Sequence, residues 1–220
     1  MPTEVSLGSP PASKLPAILQ VDGLQFYYPQ RELFTRFSAS IPAGVTLVRG
    51  GDGRGKTTLL RLLAGELTCD AGHLNINGTG LQQQPQLYRQ QVFWTEPRTE
   101  AFDTMTPPGY FENQRKRFAG FDDDMLARCV DGLSLAPEMN KQLYMLSTGS
   151  RRKVWLAAAF ASGAAVALLD MPFAALDKPS IRFVLDLLQN AADHPDRACV
   201  LADYTAPNGV RLAGVIDLGD

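Results

Sequence analysis

The sequence predicts an α/β domain built on a mainly parallel sheet, and three observations carry that prediction. Val45 to Leu63, VTLVRGGDGRGKTTLLRLL, reads as a buried strand, a glycine-rich loop and an apolar-faced helix. Apolar strands then alternate with helical patterns to the end of the chain, the order that winds a parallel sheet. One of those strands, Val166 to Leu169, ends in Asp170, which sets a carboxylate at the same end of the sheet as the loop. With 220 residues, 45% of them hydrophobic, the chain has enough apolar material for the core of one domain.

In chain order, residues 1–16 are rich in Pro and Ser with no apolar run. They predict a disordered tail rather than a secretory signal. The remainder, 17–220, is expected to form one domain. Ile18 to Val21 and Leu24 to Tyr28 predict two short strands joined by an Asp22-Gly23 turn. Leu33 to Ile41 predicts a third strand, with Pro42-Ala43-Gly44 turning into the strand of Val45, Leu47 and Val48. After the loop, Leu59, Leu60, Leu62 and Leu63 give the helix its buried face, and Gly65 suits its C-terminal cap. Asp70-Ala71-Gly72 leads into a strand at His73 to Ile76, closed by the Asn77-Gly78 turn.

The glutamine-rich run Gln82 to Gln91 predicts a polar loop into a strand at Val92 to Trp94, broken by Glu96-Pro97. From about residue 98 to 149 β-branched residues thin out. A Pro107-Pro108-Gly109 breaker is followed by two helical patterns, the clearer one carrying Met125, Leu126, Cys129, Val130 and Leu133 on one face. This stretch is expected to be an inserted helical lobe. Arg151 to Phe160 predicts a helix, Ile181 to Leu188 another, and Cys199 to Ala202 and Val215 to Leu218 the last strands. The most membrane-like segment, Trp155 to Leu169, is too short to span and is interrupted by Ser162 and Gly163, so it predicts a buried helix end and a buried strand.

The bulk numbers exclude several functions. A formal net charge of −2 argues against a nucleic-acid surface. Cys69, Cys129 and Cys199 are odd in number, scattered and in no metal-type spacing, as packing thiols of a cytosolic protein are. Two histidines, His73 and His194, are too few for most histidine chemistry and read as surface or turn residues.

The loop holds G-x-x-x-x-G-K-T from Gly50 to Thr57. Its glycines let successive main-chain N–H groups point inward, and it ends on a helix N-terminus, which together make an anion cradle. The candidate nucleotide site is therefore Gly50, Gly51, Asp52, Gly53, Arg54, Gly55, Lys56, Thr57 and Thr58. Lys56 is expected to reach the β- and γ-phosphates and Thr57 to ligate Mg²⁺. Asp170 is either a simple strand terminator or the second Mg²⁺ ligand, acting through water. Tyr28, at a strand end beside Tyr27, either stacks on a base or packs at the sheet edge. Ser147 and Gly149, just before a basic helix start, read at minimum as a helix cap.

The order of these motifs resembles the ATP-binding cassette (ABC) of ABC transporters over nearly all the chain after residue 17. GGDGRGKT resembles the Walker A motif, LSTGS at Leu146 to Ser150 the signature LSGGQ, VALLD at Val166 to Asp170 the Walker B strand, and AALD at Ala174 to Asp177 the D-loop. Tyr28 falls where the family places its adenine-stacking aromatic. TTLLRLLAGEL is also similar to the ATP-binding subunit of the bacterial haem exporter of cytochrome c maturation.

The resemblance implies a phosphate-loop nucleoside-triphosphatase fold with a mainly parallel sheet, additional antiparallel strands and an inserted helical lobe. ATP and Mg²⁺ are the implied cofactors. It also implies head-to-tail pairing with a second cassette, identical or different, so that Ser147, Thr148 and Gly149 serve the opposite site. Integral membrane transporter subunits are the implied partners, no nucleic acid is, and the chain is expected on the cytoplasmic face of the cell membrane.

Against the family pattern, Met171 stands where a glutamate should polarise the attacking water, and Asp203 where a histidine should donate to the γ-phosphate. Glu96 takes the place of the glutamine after Val92 to Trp94, and Thr148 and Ser150 loosen the signature. A lost general base costs about 10²–10⁴ in rate, and a lost charge-stabilising donor about 10²–10³. The expectation is an ATP-binding transporter subunit with weak or partner-site hydrolysis and no intact catalytic set of its own. Its rival is a non-hydrolysing ATP-dependent clamp or regulatory subunit. A DNA-maintenance or ribosome-associated cassette lacks support in a coiled-coil insert, second cassette or basic patch, and a small phosphate-loop kinase leaves the signature and D-loop without a role.

Overall fold

The computed structural model describes residues 17–219, so the tail expected at 1–16 lies outside the described residues. The elements are β1 (Ala17–Tyr28), β2 (Arg31–Pro42), β3 (Gly44–Arg49), α1 (Lys56–Leu63), β4 (Ala71–Ile76), β5 (Thr79–Gly80), α2 (Pro85–Gln90), β6 (Val92–Phe93), α3 (Pro107–Arg117), α4 (Asp123–Gly132), α5 (Thr148–Ala161), β7 (Val166–Asp170), α6 (Lys178–Ala192), β8 (Ala198–Ala202) and β9 (Leu212–Asp217). β3, β7, β8, β6 and β9 form an all-parallel sheet in the order β6-β7-β8-β3-β9, and β1, β2, β4 and β5 a separate antiparallel sheet in the order β2-β1-β4-β5.

The helix after the glycine loop is held between these sheets. α1 has only eight residues, too few to persist alone. Leu59, Leu60, Leu62 and Leu63 are all fully buried, against Leu19, Leu24 and Ile76 on one side and Val48, Leu168 and Val200 on the other. Each such leucine contributes about 1.5–3 kcal/mol over leaving it in water. The opposite face of the parallel sheet, with Val45, Leu47, Leu169 and Leu201, packs on α5, α6 and the helices of the 98–149 stretch. Burial on both faces is why β3, β7 and β8 read as continuous apolar runs rather than alternating ones.

α1 ends as expected near Gly65, in detail through a Schellman cap. Gly65 N donates to Leu62 O (2.9 Å) and Glu66 N to Arg61 O (3.0 Å), with Gly65 at φ +69°. Asn77 and Gly78, at φ +49° and +84°, make the tight turn between β4 and β5.

Three local expectations are corrected. Asp22-Gly23 is not a hairpin turn: β1 runs straight through it, and the extra residues form an irregularity in its pairing with both β2 and β4. The glutamine run is not all loop, because Pro85–Gln90 form α2, anchored by fully buried Tyr88, whose hydroxyl donates to Leu63 O at 2.8 Å. Pro107-Pro108-Gly109 starts α3 rather than breaking the chain, since prolines in a first helical turn have no N–H to lose, and Thr106 caps the Gly109 amide.

Residues 98–149 hold α3 and α4. Tyr110 of α3 locks this stretch to its surroundings: its hydroxyl meets Thr95 Oγ1 at 2.7 Å and its ring lies 4.6 Å from that of Trp155 in α5. Cys129 and Cys199 are buried free thiols whose burial pushes both up to about 12, as inert packing groups should be. His73 and His194 are exposed. Among the described residues no helix is long and apolar enough to cross a membrane.

Candidate functional site

The loop between β3 and α1 curls at the carboxyl end of the parallel sheet. Gly51 N donates to Gly219 O (2.9 Å) and Arg54 N to Gly51 O (3.4 Å), which fixes its two ends. Gly55, at φ +95°, is the residue before α1, and a Cβ there would stand 2.8 Å from Leu33 Cδ2 of β2. Only glycine fits both the backbone and the space. The first helical bond runs from Leu59 N to Gly55 O (2.7 Å), so the N–H groups of Lys56, Thr57 and Thr58 have no intrahelical acceptor. They are the donors an anion would meet, reinforced by the helix dipole. Lys56, 9% exposed, folds its ammonium back onto Gly50 O (2.6 Å) and Gly51 O (3.0 Å).

β7 brings Asp170 beside the start of α1, where its Oδ2 accepts from Thr57 Oγ1 at 2.7 Å. The two candidate Mg²⁺ ligands are thus already together. Burial raises the Asp170 carboxyl above its ordinary value, opposed by the Thr57 hydroxyl and the charges of Arg152 and Lys56. Tyr28 comes in from the end of β1, 42% exposed, with its hydroxyl 3.1 Å from Thr58 Oγ1. Tyr28, Asp52, Gly53, Arg54, Gly55, Lys56, Thr57, Thr58, Asp170 and Met171 all line one cavity of about 260 Å³. Sequence reasoning had not included Arg31, Leu33 and Tyr204 in that wall. No local motif marks them, since each arrives from a distant strand or loop.

Met171 follows Asp170 at the cavity edge with φ +48°, its N–H donating to Ala202 O at 2.9 Å. A thioether there has no proton-accepting group. Asp203 follows β8, and burial raises its carboxyl too. Its Oδ1 accepts from Tyr204 N (2.7 Å), so the carboxylate is turned onto its own chain. Glu96 lies half-buried just past β6, its carbonyl accepting from Thr99 N (3.0 Å), and it is not in the cavity wall.

Nor are Ser147, Thr148 and Gly149. Ser147 caps α5, its Oγ accepting from Ser150 N at 3.0 Å, so the minimal reading of that motif holds. The segment after β7 is clamped to this helix start. Arg152 donates to Ala174 O, Lys153 Nζ lies 2.6 Å from Asp177 Oδ2, and a Cβ on Gly149 would lie 2.4 Å from Ala175 O. Asp177 in turn caps α6 through Ser180 N at 2.9 Å.

Comparison with known proteins agrees with this geometry. The family profile described as ABC transporter matches residues 34–174. The cytochrome c biogenesis ATP-binding export protein CcmA of Pseudomonas savastanoi pv. phaseolicola is 32% identical over 208 residues, 93% of this chain and 96% of that protein. The molybdenum import ATP-binding protein ModC of Methylococcus capsulatus is 30% identical over 173 residues, 77% of this chain and 49% of that protein. Among solved structures, an ATP-binding subunit of an ABC transporter superposes with a TM-score of 0.75 at 19% identity, covering 84% of this chain and 79% of that one. A putative ABC transporter ATP-binding protein from Pyrococcus furiosus superposes with a TM-score of 0.72 at 20% identity, covering 91% and 96%.

Proposed function

The chain belongs to the family of ABC transporter ATP-binding subunits, and on that premise we propose that it binds ATP with Mg²⁺ at the β3–α1 loop and hydrolyses it slowly by itself. One juxtaposition carries this reading: the binding groups Lys56, Thr57 and Asp170 are assembled, while the residue that follows Asp170 is Met171.

The donor set fits the ligand. Free amides at the start of α1 and the Lys56 ammonium suit a triphosphate, and Tyr28 offers an aromatic face beside Thr58 for a base. The Thr57 hydroxyl and Asp170 carboxylate are hard oxygen donors suited to Mg²⁺. Among the described residues no group of three or more His, Cys, Asp or Glu could hold a metal. The cation would therefore be completed by phosphate and water, as Mg²⁺ prefers. Mg²⁺, when bound, would neutralise phosphate charge; the chain's own residues would orient the phosphates. Met171 has no group to take a proton from water, and the Asp203 carboxylate, engaged with Tyr204 N, is an acceptor rather than the donor to phosphate that fast hydrolysis needs.

In this reading the domain extends over residues 17–220, and the 98–149 stretch is the arm that meets membrane-spanning partner subunits. Ser147, Thr148 and Gly149 face a second cassette, identical or different, and complete its site rather than this chain's own. The subunit then sits on the cytoplasmic face of the membrane. Titration calorimetry with Mg²⁺ and ATP tests the site: uptake by the wild type and its loss in Lys56→Ala are expected. No uptake even at millimolar nucleotide refutes the reading. Turnover by the isolated chain at or above about one per second, the low end of ordinary enzyme rates, refutes the slow-hydrolysis part.

A further inference from the structure

Tyr204 has no role in the motif pattern, yet it is built into the mouth of the loop. It is 49% exposed, and its ring covers the Lys56 ammonium at 4.2 Å from the ring centroid. Its hydroxyl donates to Asp52 Oδ1 within the loop itself. The ring forms part of the wall above Thr57 and Asp170, and also of the adjoining depression beside Gly50 and Gly51. The backbone puts it there: Asp203 N donates to Val48 O (3.1 Å), and Asp203 Oδ1 accepts from Tyr204 N. The carboxylate is thereby folded away and the next side chain delivered over the loop.

We propose that Tyr204 recognises the terminal phosphate of a bound nucleoside triphosphate, its phenolic hydroxyl donating where Asp203 cannot. The inference rests on the nucleotide reading above. Lys56 is the side chain expected to meet the β- and γ-phosphates, so a hydroxyl on the ring lying against it is within reach of the same oxygens. Asp52 raises the phenol further above its ordinary value, so the group keeps its proton at neutral pH and remains a donor. The carboxylate of Asp52 that holds the hydroxyl is itself exposed. Exchanging that partner for a phosphate oxygen costs little, because Asp52 regains water. A diphosphate lacks the oxygen in question, so the contact discriminates between the two nucleotides.

Tyr204→Phe isolates the hydroxyl, since it keeps the ring over Lys56. Titration calorimetry with Mg²⁺ and either ADP or β,γ-imido-ATP reads the result. The variant is expected to bind the triphosphate analogue roughly tenfold more weakly, the scale of one hydrogen bond to a charged group, with ADP affinity within about twofold of the wild type. Retained ADP affinity also certifies the variant's fold. An unchanged ratio of the two affinities, equal loss of both, or tighter binding of both overturns the assignment, the last by making Tyr204 a plug. A wild type that takes up neither nucleotide sinks the nucleotide reading itself, a result distinct from binding with an unaltered ratio.

Discussion

Gly149→Ala tests the joint between the start of α5 and the segment after β7. The added Cβ would lie 2.4 Å from the carbonyl oxygen of Ala175, where ordinary contact begins at 3.4 Å, so the joint must open by about 1 Å. Neither side yields easily. Arg152 holds Ala174 O, Lys153 holds Asp177, Asp177 caps α6, and Ala175 already sits at φ +61°. Overpacking of this kind costs about 1–3 kcal/mol. Replacing glycine by alanine returns about 0.4–1 kcal/mol through the unfolded chain, so at the middle of both ranges the clash wins by roughly 1.3 kcal/mol.

For a domain of this size each kcal/mol moves Tm by about 2–4 °C, which predicts a fall of about 3–5 °C in a thermal melt. Gly109→Ala is the control. It also lies in the first turn of a helix, α3, but its Cβ would meet only Thr106 Oγ1 at 3.5 Å and Met105 Cβ at 4.0 Å, so its Tm should rise. An unchanged or raised Tm in Gly149→Ala would show that the joint is loose, and the reasoning would fail.

Met171→Glu supplies a carboxylate on an unbranched stem like that of methionine, and should raise steady-state ATP turnover by about 10²-fold or more if the missing base is the main defect. No change in rate would place the deficit on Asp203 or on a missing partner cassette. Asp177→Ala removes both the α6 cap and the Lys153 partner and should cost about 1 kcal/mol in a denaturant melt. Asp177→Asn keeps a capping oxygen and should cost less, so equal losses would show that the cap contributes nothing.

Asp170→Asn should raise the melting temperature of the nucleotide-free protein at pH 7 while removing the Mg²⁺-dependent part of ATP affinity. Burial lifts the Asp170 carboxyl, so the folded state holds its proton more tightly than the unfolded chain. Stability therefore falls as pH rises from about 3.9, the unfolded value, through the raised folded value. The advantage of Asn should vanish below that window. A lower Tm at pH 7 would mean that Thr57, Arg152 and Lys56 outweigh burial.

Residues whose role depends on near neighbours were legible in the sequence. β3, the glycine loop, α1 and the strand ending in Asp170 lie within a residue or two of where pattern places them, because strands buried on both faces must be apolar throughout. α2 escaped notice because Tyr88 is its only buried residue, which leaves no helical period to read. The Asp22-Gly23 turn signal misled for the opposite reason. The dipeptide suits a hairpin, but Leu19, Val21, Leu24 and Phe26 on either side pack into the same core, so one strand runs through and the extra residues bulge.

By itself the sequence determined that a glycine-rich loop ending in Lys56 and Thr57 opens α1, that methionine follows Asp170, and that Asp203 follows the strand of Cys199 to Ala202. Those are facts of residue identity and short spacing. Only the tertiary structure decided that Thr57 touches Asp170, that Gly149 abuts Ala175, and that Tyr204 reaches Asp52 across 152 positions of chain. Such contacts follow from how the parallel strands are ordered in the sheet, which brings the ends of β3, β7 and β8 together, and no local pattern of residues encodes that order.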